Sequence, residues 1–280
     1  MIFESYYSMI MNNMRIKTYE YIKRIADRFG YELQINRKIK QNRQQICLNI
    51  GAGNWRCDSW INLDYSSEWY RASQKHPFLP YDIRNDTIPF DEDVVDAIYC
   101  SHVIEHIENE YVQNMFSECY RVLKKGGVLR IAVPDADFIY TISKINSEYW
   151  WWRDSWFTSG ILKSDYKPRN VDYCVRELAT PKLLAYKLGL NEIDYINDFD
   201  SLDKCDFFEK ITNGLEFRDN TVGDHINYWT YTKLEKMLQM TGFTTIIQSK
   251  YGGSCCKEMT DLSKFDLTNP QLSLYVEAIK

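Results

Sequence analysis

The chain of 280 residues has no apolar run near the roughly 20 residues needed to span a bilayer. No cleavable apolar segment follows a basic start. A protein without a transmembrane segment, located in the cytoplasm, is therefore expected. Basic charge is not in surplus either: 34 Lys and Arg against 39 Asp and Glu leave a net charge of −5. No whole-molecule attraction for nucleic acid follows, and no nucleic-acid partner is expected. Eight cysteines include no C-x-x-C pair, and only Cys255 and Cys256 are adjacent. That pattern argues against a zinc ribbon and a disulfide framework, and favours free thiols in a reducing compartment. Internal repeats and low-complexity tracts are also missing.

What is present is an ordinary globular composition, 45% hydrophobic and 26% charged. Residues 1–45 read as an N-terminal helical arm. Its stretch Tyr6 to Ile25 mixes Tyr, Met and Ile with Arg15, Lys17, Lys23 and Arg24. Such a helix docks on its own domain, on a twin subunit as a homodimer contact, or on a membrane surface.

Ile46 to Ile50 is a short apolar run breaking into Gly51-Ala52-Gly53, the pattern of a buried strand entering a tight turn. Trp60 to Asp64 and Val94 to Cys100 read as further strands. Between Asn109 and Lys125, the residues Val112, Met115, Phe116, Cys119, Val122 and Leu123 recur at helical spacing, and Gly126-Gly127 supplies the stop. Val128 to Val133, closed by Pro134, is the next strand. Strand and helix alternating in this way predict a doubly wound α/β sheet over residues 46–140.

Residues 141–224 lose the strand rhythm and become rich in Trp and Tyr, as in Tyr149-Trp150-Trp151-Trp152. They read as a helical insertion, a cap or acceptor region. Its aromatics form either the core of that cap or a cleft in which rings stack on a sugar or aromatic face, with Arg153, Asp154 and Asp224 bonding hydroxyls. Residues 225–280 complete the core. There Thr232-Lys233-Leu234-Glu235 has a capping-box pattern opening a helix that stops at Gly242, followed by strands from Phe243 to Ser249 and from Ser273 to Ile279.

Glycines after a first strand let a ligand approach the backbone, and a carboxylate after the second, Asp64, can accept both hydroxyls of a ribose. The pair describes a nucleoside-shaped site. A dinucleotide site fits less well, because Arg56 stands where the third glycine of G-x-G-x-x-G would be and Asp64 follows sooner than the roughly 20 residues usual there. A nicotinamide-dependent sugar reductase would use Tyr-x-x-x-Lys. That spacing occurs at Tyr120 and Lys124, but on the amphipathic helix leading into Gly126-Gly127.

Leu48-Asn49-Ile50-Gly51-Ala52-Gly53, Trp60-Ile61-Asn62-Leu63-Asp64, Ile88-Pro89-Phe90-Asp91, Val95-Asp96-Ala97-Ile98, Ser101-His102-Val103-Ile104-Glu105-His106 and Leu123-Lys124-Lys125-Gly126-Gly127-Val128-Leu129 follow one another in an order and spacing that resembles the class I S-adenosylmethionine-dependent methyltransferase family. Within it, the chain is similar to the methyltransferase-11-like members associated with glycan and polysaccharide modification. The resemblance implies a Rossmann-like seven-stranded sheet with a reversed C-terminal strand, and S-adenosylmethionine as cofactor. It implies that Gly51, Ala52 and Gly53 line the methionine and ribose portion, Asp64 holds the ribose, and Tyr65 lies beside the adenine. Asp82 and Ile83 would meet the adenine edge, and Cys100 and Ser101 would border the sulfonium. Asn49 stands where many members carry an acid, so it offers the cofactor's amino group a hydrogen bond and no counter-charge.

Methyl transfer to oxygen needs a positioned acceptor and a destination for its proton. The catalytic candidates are His102, Glu105, His106 and His225, the first three expected on one face of a helix beginning near His102. The plainer reading takes Glu105 and His106 as groups that satisfy the backbone at the head of that helix. The same four are candidate metal ligands, since the run is similar to the E-x-x-E-H arrangement of ubiquinone-pathway and small-RNA O-methyltransferases, with His102 in place of the first carboxylate. A divalent metal is a candidate here and not the expectation. The expected acceptor is a hydroxyl of a glycan, a sugar or a nucleotide-sugar. The alternatives are an aromatic small metabolite methylated on O or N, and a catalytically inactive cofactor-binding partner module. An Asp64→Ala change is expected to remove cofactor binding and spare the fold.

Overall fold

A computed structural model describes residues 45–68, 74, 76–145, 147–158, 167–187 and 195–280. Apart from Gln45, the expected N-terminal arm lies outside the described residues, and so does the homodimer contact assigned to it.

Short apolar runs buried on both faces make the parallel centre of the sheet. They are β1 (Cys47–Ile50), β2 (Ile61–Asp64), the two-residue β3 (Leu79–Pro80) and β4 (Val95–Ser101). α1 (Asn109–Val122) follows, burying Val112, Met115, Phe116, Cys119 and Val122 on one stripe. β5 (Leu123–Pro134) comes next, and the chain closes with β6 (Thr245–Gln248) and β7 (Ser273–Ile279). The seven strands lie in the order β3-β2-β1-β4-β5-β7-β6, with β7 antiparallel to both β5 and β6. The doubly wound, Rossmann-like sheet with a reversed C-terminal strand is as expected.

Four local expectations are corrected. α1 stops at Val122, because Leu123 already pairs with Val95 and begins β5 five residues before Val128. The C-terminal helix α8 (Tyr231–Met240) is capped by Thr230, whose hydroxyl accepts from the Lys233 N–H at 3.2 Å, so the cap lies two residues ahead of Thr232. β6 is confined to four residues at a largely exposed sheet edge. No α-helix begins near His102. That residue takes φ +53°, and one 3-10 turn (Ile104–His106) precedes α1.

The insertion is helical: α2 (Ala136–Ile145), a 3-10 stretch (Ser147–Arg153), α3 (Asp154–Thr158), α4 (Asn170–Leu178), α5 (Thr180–Lys187), α6 (Tyr195–Ser201) and α7 (Lys204–Thr212). Its aromatics gather in a second hydrophobic core around Trp150, Phe157, Tyr173, Phe207 and Phe208. Trp150 stacks on Tyr173 at 5.3 Å between centroids. The two cores meet where Ala136 donates its N–H to the Trp229 carbonyl at 2.9 Å. That join hangs the cap over the C-terminal edge of the sheet. No helix among the described residues is long and apolar enough to cross a membrane.

Candidate active site

The sheet order reverses at β1, which pairs with β2 on one side and β4 on the other. Connections leaving such a switch point diverge, opening a crevice at the strands' carboxyl ends. A cavity of about 430 Å³ lies there, and Asn49, Gly51, Ala52, Gly53, Asp64, Tyr65, Asp82, Ile83 and Ser101 all contribute to its wall. Cys100 does not: its side chain faces the hydrophobic core, and burial pushes its thiol well up.

The turn after β1 is built for close approach. Gly51 has φ +68°, and a β-carbon there would fall 2.2 Å from Val103 Cγ2. Gly53, at φ +53°, has open space where its β-carbon would be. Asp64 braces the turn from β2, accepting the Gly53 N–H at 2.8 Å and the Tyr65 N–H at 2.8 Å. Burial raises its pKa, opposed by those N–H bonds and one from Gln74. A carboxylate offers about four acceptor positions, so one remains for a ribose hydroxyl beside these three donors. Asn49 donates weakly to Asn62 Oδ1 at 3.5 Å, which leaves its own oxygen free to accept from an ammonium. An adenosine-like ligand with an amino-acid tail fits this cradle.

At the end of the cavity expected to take the adenine, Arg84 has a part that the sequence reading missed. Asp82 accepts from Arg84 Nε at 3.0 Å and Nη2 at 2.9 Å. Burial would raise the Asp82 pKa, but these bonds lower it overall. The Arg84 guanidinium lies 4.1 Å from the ring centre of Phe217, and Tyr65 donates its hydroxyl to Asp219 at 2.8 Å. Phe217 thus brings the insertion onto the cavity wall beside Val222. The C-terminal loop adds Lys264, Leu267 and Thr268, and Trp55 binds the Lys264 carbonyl through its indole N–H at 2.5 Å. Neither loop carries a local pattern that marks it as a site. Tertiary contact alone places them.

At the opposite end the catalytic candidates come together, arranged differently from one helical face. His106 and His102 line the cavity, while Glu105 and His225 lie behind them. His102 turns away: Nε2 pairs with Ser273 Oγ at 2.8 Å, and Nδ1 lies 3.1 Å from Glu105 Oε1. Glu105 is 1% exposed, yet neither of its carboxylate oxygens receives an aligned hydrogen bond among the described residues. The contact from His102 is thus an ionic proximity. Burial opposes the Glu105 charge, but the close contact with His102, and then the charge that His106, His102 and His225 carry when protonated, outweigh it and hold the pKa down at about 2.

His106 Nδ1 meets the Asp224 carbonyl at 2.8 Å, and His225 Nδ1 meets the Glu177 carbonyl at 2.6 Å. A carbonyl only accepts, so each Nδ1 carries a proton, which leaves Nε2 as the lone-pair nitrogen of the neutral tautomer. Burial, followed by repulsion from His106, holds His225 down at about 4. The two rings meet edge to face at 4.8 Å.

The groups expected to bind acceptor hydroxyls are otherwise engaged. Arg153 grips the buried Glu177 with Nε at 2.6 Å and Nη2 at 3.0 Å, and Asp154 accepts from the Tyr173 hydroxyl. The Asp224 carboxylate lies 4.0 Å from Arg218, while its carbonyl holds His106.

Residues 51–131 match the family described as "Methyltransferase domain". The matched stretch is less than a third of the chain and holds the turn after β1, Asp64 and β4, so the part similar to a methyltransferase domain is the part that walls the crevice. Among sequence relatives, a protein described as "Uncharacterized protein MJ1123" from Methanocaldococcus jannaschii is 26% identical over 158 residues, covering 54% of this chain and 71% of its own. Among solved structures, the chain aligns with a SAM-dependent methyltransferase from Archaeoglobus fulgidus at 12% identity and TM-score 0.40, covering 90% of this chain and 94% of that one. The S-adenosylmethionine-dependent methyltransferase SibL aligns at 12% identity and TM-score 0.40, covering 85% and 51%. Likeness at that level carries no conclusion about substrate.

Proposed function

We propose that the protein is an S-adenosylmethionine-dependent methyltransferase acting on a hydroxyl of a sugar, a glycan or a nucleotide-sugar. The carrying observation is a coincidence of place: the Gly51 turn and Asp64, which shape a ribose-sized cradle, fall within the stretch that matches a methyltransferase domain.

When bound, S-adenosylmethionine supplies an electrophilic methyl carbon on a sulfonium. The protein's own residues do the rest. Asp64 takes a ribose hydroxyl, Asn49 meets the amino group, and Tyr65, Asp82 and Ile83 flank the base. Ser101 and His106 both line the cavity and would face the methyl group and the acceptor, with the 3-10 turn of Ile104–His106 holding His106 at the wall. In-line displacement leaves the acceptor oxygen with a proton to lose. The Glu105–His106–His225 centre receives it, entered through His106, whose Nε2 lone pair is held ready by the Nδ1 bond to Asp224. A hydroxyl, with its high pKa, needs such a group.

Calorimetric titration with S-adenosylhomocysteine, run beside NAD, tests the cofactor assignment. Micromolar binding of the former alone is expected, and binding of NAD alone overturns it. A panel of sugar, nucleotide-sugar and aromatic hydroxyl acceptors then tests the rest. His106→Ala is expected to keep S-adenosylhomocysteine affinity and lose about 100-fold or more in turnover. Cofactor binding without turnover on any acceptor would instead favour a cofactor-binding partner module.

A further inference from the structure

Three metal-binding donors converge behind the cavity. One atom each from Glu105, His106 and His225 lies within 4.8 Å of the others. Three features distinguish this from a chance meeting of polar groups. Both histidines already give their Nδ1 protons to backbone carbonyls, which is how metal-ligating imidazoles are usually fixed, and both Nε2 lone pairs are left over. The Glu105 carboxylate is almost wholly buried, and among the described residues no aligned hydrogen bond reaches its oxygens, so its lone pairs are left for a cation. The cluster also has one open side, because His106 lines the cavity.

We infer that Glu105, His106 and His225 bind a divalent ion of the zinc class, with a fourth position facing the acceptor end of the cavity. His102, a candidate ligand from the sequence, stands outside this set. Its Nε2 is committed to Ser273, whose own hydroxyl proton goes to the Asn269 carbonyl at 2.8 Å. Two imidazole nitrogens and one carboxylate oxygen suit zinc or its cobalt substitute, whereas magnesium prefers an all-oxygen shell. Ligand bonds of about 2.0–2.1 Å put tetrahedral donors about 3.4 Å apart, so the widest-spaced pair must close by up to about 1.4 Å. With the ion bound, the His106 Nε2 lone pair is a ligand and no longer the proton acceptor; the Lewis acid would instead lower the pKa of an acceptor hydroxyl so that its proton leaves to water in the cavity, which deepens the proposed function at the same site. The ion site itself stands on the donor geometry and not on that reading.

The test uses the full chain, stripped with chelator and titrated with Co²⁺ while visible ligand-field absorption is followed, then with Zn²⁺ as competitor. One equivalent of Co²⁺ displaced by Zn²⁺ is expected, with affinity falling about 100-fold or more in Glu105→Gln and His106→Gln. Circular dichroism on each variant separates loss of binding from loss of fold, and His106, the most exposed of the three, is the variant expected to stay folded. Absence of ligand-field bands in the folded wild-type protein, or binding unchanged in folded His106→Gln, overturns the site. S-adenosylhomocysteine affinity of the stripped protein is measured alongside. If it persists without cobalt binding, the ion proposal alone fails; if it too is absent, the methyltransferase reading fails separately.

Discussion

Val103 occupies the space that any side chain on Gly51 would need, with Cγ2 at 2.2 Å and Cγ1 at 2.9 Å from a β-carbon built there. The turn after β1 and the segment after β4 thus fit into each other, and their fit forms the cavity floor. Two separate penalties bear on Gly51→Ala: this collision and the left-handed φ of +68°. S-adenosylhomocysteine affinity is expected to fall about tenfold or more, equivalent to about 1.4 kcal/mol. Adding Val103→Ala should recover only part, because φ is unchanged. Full recovery in the double variant would show that the backbone conformation costs nothing here.

Asp64 carries structure as well as ligand. The sequence reading treats it as an exposed carboxylate whose removal spares the fold, yet it is 8% exposed and ties the Gly53 and Tyr65 N–H groups to β2. Asp64→Ala leaves both donors without that partner, a loss of about 1–3 kcal/mol. A lower denaturant midpoint is therefore expected together with lost cofactor binding, while Asp64→Asn, which keeps one acceptor oxygen, should be the milder change in stability. Wild-type affinity in Asp64→Ala would remove the ribose assignment.

These two residues also show what the sequence can reveal. Gly51, Gly53 and Asp64 were legible because turn chemistry and the strand-end carboxylate are local patterns, read within 14 positions of the chain. Leu123 was misassigned because it satisfies the helical stripe of α1 and the apolar run of β5 equally, and pairing with Val95 decides between them. Phe217, Arg84 and Lys264 went unseen, since each reaches the cavity through packing between segments distant in sequence. His102 had the right spacing for a helix face, but its positive φ breaks that periodicity. Helical spacing brought His102, Glu105 and His106 into one argument; it could not show that His225, far along the chain, would complete the cluster.

Arg130 is an interior cation in β5, fully buried and shared between Asp266 at 2.6 Å and Glu277 at 3.2 Å. It also donates to the carbonyls of Lys250 and Gly253, so it fastens the C-terminal loop that brings Lys264, Leu267 and Thr268 to the cavity. Arg130→Met strands two carboxylates and should cost about 3–5 kcal/mol in chemical denaturation. Adding Asp266→Asn and Glu277→Gln should restore part of this, since the main penalty is uncompensated charge. If the triple variant is no more stable than Arg130→Met, the lost carbonyl bonds dominate instead.

Lys233, buried against the rings of Tyr228 and Trp229, provides a test in pH. Its ammonium donates to Asn227 Oδ1 at 2.8 Å and to the Tyr228 carbonyl at 3.0 Å. Burial holds its pKa down at about 8 from an ordinary 10.5, with the charge of Glu209 working in the opposite direction. Below pH 8 both folded and unfolded chains keep this proton, and the folded state bears the cost of a buried charge. Between about 8 and 10.5 the folded chain has released the proton while the unfolded chain still holds it. The unfolded state then binds more protons, so this group adds stability as pH rises through that window. Lys233→Met should lack the increment. Subtracting the variant's unfolding free energy from the wild type's cancels the tyrosines titrating nearby, and the difference should climb steadily from pH 8 to pH 10. A flat difference would mean that the carbonyl and amide acceptors around Lys233 compensate its burial fully.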